Sequence, residues 1–206
     1  MNQQPDYEPG PGTCCCCLVF LAATVGFIYL MVLLSVSKGA TYSVTVTGVA
    51  GLDPAADLLS ASRPTLSPVF NLTVRIDNAR EKFSTHCLGS FAAASVTYGD
   101  AFLGKGSVPE FCAGKGKVRE RGARAWGHGV DLPRFLRDQM AGELAAGEAA
   151  VDVEVTVPDQ ECYHHCFDTV LTCSQAKIGG GPAPCTVHQN VVHHGHDGET
   201  AAGSND

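Results

Sequence analysis

Residues 18–36 read LVFLAATVGFIYLMVLLSV, 19 residues without a charged side chain, and this run constrains every account of the chain. As a helix rising ~1.5 Å per residue it reaches about 28 Å, close to the ~30 Å hydrocarbon thickness of a bilayer. Cys14, Cys15, Cys16 and Cys17 extend the apolar run to 23 residues. The sequence therefore predicts one transmembrane helix over residues 14–36. It also predicts a disordered polar tail at 1–13, a folded domain at 37–192 and a second disordered tail at 193–206. The competing reading is a cleaved secretory signal. Signal cores run about 7–15 residues behind a positive leader. Here the leader carries Asp6 and Glu8 and no base, although Ser35-Val36-Ser37 offers a small-residue cleavage site. Lys38 follows the run, which by flanking charge alone favours a cytosolic C-terminus.

The ten cysteines fall into two groups. Cys14 to Cys17 sit at the expected membrane edge, where thiols suit reversible S-acylation from the cytosolic side; apolar filler is the alternative. Cys87, Cys112, Cys162, Cys166, Cys173 and Cys185 form an even set, as three disulfides in an oxidising compartment require. Sequence alone leaves their pairing open. Asn71-Leu72-Thr73 is an N-glycosylation sequon, which fits the same compartment. The rival is zinc. Cys162, His164, His165 and Cys166 cluster, with His188, His193, His194 and His196 beyond them. Structural zinc sites space paired cysteines more closely than these, so the expectation is no metal.

Hydrophobic residues make up 45% of the chain and charged residues 17%, a balance that folds rather than staying disordered. The net charge of −7 is uneven. Residues 103–124 hold six bases against two acids, and residues 125–206 hold three bases against twelve acids. An acidic chain repels phosphate, which excludes a nucleic-acid partner. The basic stretch reads as a solvated hairpin loop, with lipid headgroups or anionic wall polymers as alternative contacts.

Residues 41–48 (TYSVTVTG) and 69–76 (VFNLTVRI) alternate with period two, as half-buried antiparallel strands do. Residues 91–98, 101–103, 107–112 and 123–130 are further strands, with Gly99-Asp100 as a hairpin turn. Asp131 caps an expected helix in which Leu132, Phe135, Leu136, Met140 and Leu144 recur at helical spacing. Residues 151–157 (VDVEVTV) put valines on one face and Asp152, Glu154 and Thr156 on a solvated one. Residues 163–173 and 185–192 are weaker strands. Many short strands and one minor helix predict an all-β sandwich.

No catalytic signature is present. The chain lacks a G-x-S-x-G elbow and an H-E-x-x-H zinc helix. Residues 99–106 (GDAFLGKG) approach a phosphate loop, but Gly106 stands where Ser or Thr must bind magnesium. Pro109 also disfavours the helix such a loop needs. The expectation is a non-enzyme without a cofactor.

The succession PVFNLTVRIDNAR, SVTYGDAFLGKGSVPEFC, GVDLPRFLRDQM, VDVEVTV and a last cysteine-bearing strand resembles the plant late-embryogenesis-abundant type 2 domain. Specifically, it resembles the membrane-anchored, harpin-induced-like and non-race-specific disease-resistance-like members. The resemblance covers about residues 37–190. It implies a fibronectin/immunoglobulin-like sandwich at the plasma membrane, with a cytosolic N-terminus and an extracellular domain, against the indication of Lys38. It implies a role in defence or stress response through a protein or cell-wall partner, with lipid binding as the alternative. It supplies no catalytic residues. Where the family often has Asn-Pro-Asn after its second strand, this chain has Asn78-Ala79-Arg80, and it is richer in cysteine than many members.

Overall fold

A computed structural model describes residues 11–36, 39–60, 64–159 and 166–192 of the chain. It divides into two units, Met1–Gly39 and Ala40–Asp206. The first contains helix α1 (Pro11–Val36). A segment without charges or internal proline satisfies its backbone polar groups most simply within one helix, and α1 does so. Its larger apolar side chains from Leu18 to Val32 are all at least half exposed. The expected transmembrane helix over 14–36 is corrected here. Among the described residues, no helix is long and apolar enough to cross a membrane. The side chains described in α1 run only from 18 to 32, about 22 Å of helix at ~1.5 Å per residue.

Among its described residues the second unit carries ten strands: β1 (Thr41–Ala50), β2 (Val69–Asp77), β3 (His86–Leu88), β4 (Ala93–Tyr98), β5 (Ala101–Ser107), β6 (Phe111–Ala113), β7 (Val118–Trp126), β8 (Ala150–Val157), β9 (Cys166–Lys177) and β10 (Ala183–Val192). Helix α2 (Arg134–Ala146) lies between β7 and β8. Eight strands close into an antiparallel barrel in the order β1-β10-β9-β8-β4-β5-β7-β2, and β3 pairs with β6 apart from it. The expected fibronectin/immunoglobulin-like sandwich is thus replaced by a closed barrel. The reason lies at the two places where a sandwich keeps free edges. β1 joins β10 through Tyr42 opposite Cys185, Ser43 opposite Pro184 and Val44 opposite Ala183. β5 joins β7 with Lys105 opposite Trp126.

The second junction requires glycine. A Cβ on Gly106 would overlap the Arg124 carbonyl oxygen, and one on Gly127 would overlap that of Leu103. Gly104 and Gly106, two glycines of the stretch that resembles a phosphate loop in sequence, are therefore where two backbones meet.

The barrel interior follows the alternation of its strands. Phe70, Val74 and Ile76 of β2 and Val153 and Val155 of β8 have no exposed surface. At ~25 cal/mol per Å², each such side chain stabilises the fold by about 1.5–3 kcal/mol. Val44 and Val46 of β1 complete the same core.

The basic stretch, expected as a loop, is mostly strand: it forms most of β5, all of β6 and most of β7. Arg119 and Arg121 stand at core-parity positions opposite the buried Ile76 and Val74, yet are exposed. On the other face, Glu120 bonds Arg75 at 3.0 Å. Beside β3 and β6, the buried amide of Asn78 donates to the carbonyls of Ser84 and Ala113 at 2.9 and 3.1 Å. That side chain ties the turn after β2 to β6. Helix α2 begins two residues later than its expected cap. Pro133 is the N-cap, without a side-chain hydrogen bond, and Phe135 is exposed rather than packed. Gly147, at φ 68°, closes the helix in the left-handed conformation that favours glycine.

Gly106→Ala should lower stability by at least about 1–3 kcal/mol, because backbone rather than a side chain must move. Gly48→Ala, with open space at its Cβ position, should change it by under about 0.5 kcal/mol. Thermal unfolding of the two variants without reductant checks this. Equal melting temperatures would remove the glycine seam.

Candidate functional site

β4 ends at Tyr98, where the Gly99-Asp100 turn begins. The β4–β5 register shifts between Val96 and Thr97, just before that tyrosine. A second shift interrupts β8–β9 between Val151 and Val153. There β9 carries one extra residue opposite Asp152, and Gln175 takes φ 56°. Left-handed backbone is uncommon outside glycine. Here it lets the Gln175 amide donate to Asp152 Oδ1 at 2.8 Å. Bulges re-aim side chains, and these two flank one cavity.

The cavity measures about 440 Å³ and is lined by Tyr98, Leu136, Gln139, Glu143, Glu148 and Asp152, among others. α2 contributes Leu136, Gln139 and Glu143, and Glu148 follows its glycine cap. Glu143 and Asp152 are half-buried and Glu148 is exposed. Gln139 Nε2 donates to Glu143 Oε1 at 2.9 Å. The C-terminal end of a helix carries partial negative charge, which adds to the carboxylates. Among the described residues, no ion pair reaches any of the three acids. Lys177 is exposed across the β8–β9 ladder, opposite Ala150.

Tyr98 is only 6% exposed, and its buried hydroxyl lies beside Glu143 and Gln139. Burial first, and the nearby Glu143 carboxylate second, push its pKa up to about 12. The hydroxyl thus lies near enough to Glu143 to respond to its charge, although no hydrogen bond of normal geometry joins them.

A cavity of about 480 Å³ lies between Leu58, Pro64 and the start of α2. Its Arg137 is committed to the carbonyls of Leu132 and Pro64.

The cysteines and the sequon fall as follows. Cys87 is bonded to Cys112 directly across β3–β6. Cys173 is bonded to Cys185 across β9–β10, one step beyond the Thr172–Thr186 pair. Cys162, His164, His165, His193, His194 and His196 lie outside the described residues, as do the side chains of Cys166 and of Cys14 to Cys17. Among the described residues, no group of His, Cys, Asp or Glu is placed to hold a metal ion. Asn71 is exposed on β2, opposite Gly48 and Arg124.

No motif in the sequence marks the Tyr98 cavity. Asp152 and Glu154 look alike there as solvating residues, whereas Glu154 is exposed and Asp152 is drawn into the bulge. The one available signal was the spacing of Glu143, Glu148 and Asp152 across a helix-ending glycine. Comparison of the chain with protein-family models, curated proteins and solved structures finds no match.

Tyr98 should titrate far above the ordinary value of 10.0. A raised phenol contributes stability that is whole below the unfolded pKa and is lost as pH climbs through the folded one. Alkaline absorbance titration should therefore show a step near pH 12 that Tyr98→Phe removes. Stability should decline over the two units below it, unless that variant is used. A step near pH 10 would contradict the burial.

Proposed function

We propose that this protein is a non-enzymatic interaction domain working on the non-cytosolic side of a membrane, in defence or stress response, like the late-embryogenesis-abundant type 2 proteins its motifs resemble. The observation that carries the reading is the pair of cross-strand disulfides, Cys87–Cys112 and Cys173–Cys185. Structural disulfides persist in oxidising compartments and are rare in the cytosol. An exposed Asn71 within a sequon on the outer barrel face agrees with the same side. The exposed apolar side chains of α1 supply surface of the kind that meets lipid or a partner.

The alternative is a lipid carrier with acyl chains inside the barrel. A tunnel would leave accessible surface on core-facing side chains. Val44, Val46, Phe70, Val74, Ile76, Val96, Leu103, Val153 and Val155 have none. This favours the interaction reading, with a protein or cell-wall partner at the outer surface.

The test is a mass-shift assay on the full chain from its native membrane fraction, alkylated before and after reduction, with and without removal of N-glycans. Cys87, Cys112, Cys173 and Cys185 should react only after reduction, and a glycan should be lost that Asn71→Gln abolishes. Ready alkylation of all four without reductant, with no glycan, would place the domain in the cytosol and overturn the proposal.

A further inference from the structure

We infer that the exposed ring of Trp126, on the outer face of the barrel, is the seat of the N-glycan carried by Asn71, with the first N-acetylglucosamine packed on the indole and Arg124 bonded to its oxygens. The inference rests on the extracytosolic reading proposed above, because N-glycans are attached on that side of a membrane. Three observations meet on this face. The first is register. β2 pairs with β7 so that Val69 faces Trp126, Asn71 faces Arg124 and Thr73 faces Gly122. Phe70, Leu72, Ala123 and Ala125, which alternate with these residues, are buried. Asn71, Arg124 and Trp126 therefore stand together on the outer surface, and all three are exposed. Trp126 is the diagonal neighbour of Asn71, and such neighbours lie about 7–8 Å apart, within reach of an aromatic side chain.

The second observation is the unsatisfied surface beside the sequon. Trp126 is 57% exposed, so its ring gains little of the burial that large aromatic side chains usually provide. Among the described residues, Arg124 has no ion-pair partner. The third is room. On its other side Asn71 faces Gly48, where a Cβ would meet nothing within 4 Å. A bulky sugar on Asn71 thus finds bare backbone on the β1 side and an aromatic plate on the β7 side. Its chemistry suits that plate. A β-linked pyranose presents a face of C–H groups, and these pack on the electron-rich face of an indole. The Arg124 guanidinium, a donor only, meets the sugar's hydroxyl and acetamide oxygens. Covalent attachment holds the sugar at a high effective concentration, so a contact too weak to capture a free sugar is occupied. Seated there, the glycan joins β2 to β7 beside the strand junction, where Lys105 faces Trp126. A separate protein partner on the same ring is the competing occupant.

The experiment uses the full chain from a host that attaches N-glycans, with disulfides intact, in a nonionic detergent. Mass measurement reads the occupancy of Asn71. Trp126 is the chain's single tryptophan, so tryptophan emission and its quenching by acrylamide report this ring alone. The native glycoform is compared with one trimmed by endoglycosidase to the first sugar, and with Asn71→Gln and Thr73→Ala, which each remove the sequon. Trimming should leave quenching unchanged, whereas both variants should show stronger quenching and red-shifted emission. Asn71→Gln should also lower the melting temperature by about 2–4 °C, and the same change in a Trp126→Leu background should lower it far less. A glycan on Asn71 with equal quenching in the parent and both variants overturns the inference, leaves the ring open to a separate partner and leaves the extracytosolic reading standing. Loss of protection on trimming to the first sugar also overturns it. An Asn71 without glycan overturns the inference and the extracytosolic reading together.

Discussion

Two strand backbones approach so closely at the β5–β7 junction that glycine is the residue that fits. The rest of the fold depends on that approach. With Gly106 against Arg124 and Gly127 against Leu103, β5 and β7 pair instead of standing as separate edges. Exposed strand edges carry unpaired backbone groups and invite association with other chains. Closing one edge here and the other between β1 and β10 removes this exposure. The second closure sits beside a covalent tie, because Cys185 both faces Tyr42 of β1 and is bonded to Cys173 of β9. A disulfide enclosing so short a segment stabilises mainly by restricting the unfolded chain, by about 3 kcal/mol.

Closure also explains where chemistry collects. Inside the barrel, valines, leucines and phenylalanine fill the space, and no core-facing position described above leaves room for a ligand. Polar groups are pushed to the rim. There the register shifts in β4–β5 and β8–β9 turn side chains out of their alternating pattern. The Tyr98 cavity is the result. It gathers residues from β4, α2, β8 and β9 that are up to 77 positions apart.

Much of the strand content was legible because alternation is a local signal. VFNLTVRI and VDVEVTV each display one buried face, and the structure buries those faces. Closure was not legible. A sandwich and a barrel both bury alternate residues, and the difference lies in which edges meet, a long-range property. β7 was misread for a physical reason: Arg119 and Arg121 interrupt its hydrophobic alternation, so its first half looks like a charged loop. The basic residues are tolerated because their side chains are exposed. The Tyr98 site was hidden because its acids resemble ordinary solvating residues until the bulge at Gln175 and the glycine cap of α2 bring them together. Six cysteines could be proposed as a disulfide set, of which four bond among the described residues, while their pairing needed the register of β3–β6 and β9–β10.

Amide hydrogen exchange followed by NMR on the oxidised chain tests barrel closure most directly. Closure predicts that amides around Lys105 and Trp126, and around Tyr42 and Cys185, exchange nearly as slowly as those in the middle of β2. Fast exchange along the facing edges of β5 and β7, with slow exchange in β2, would show two open sheets and contradict the account.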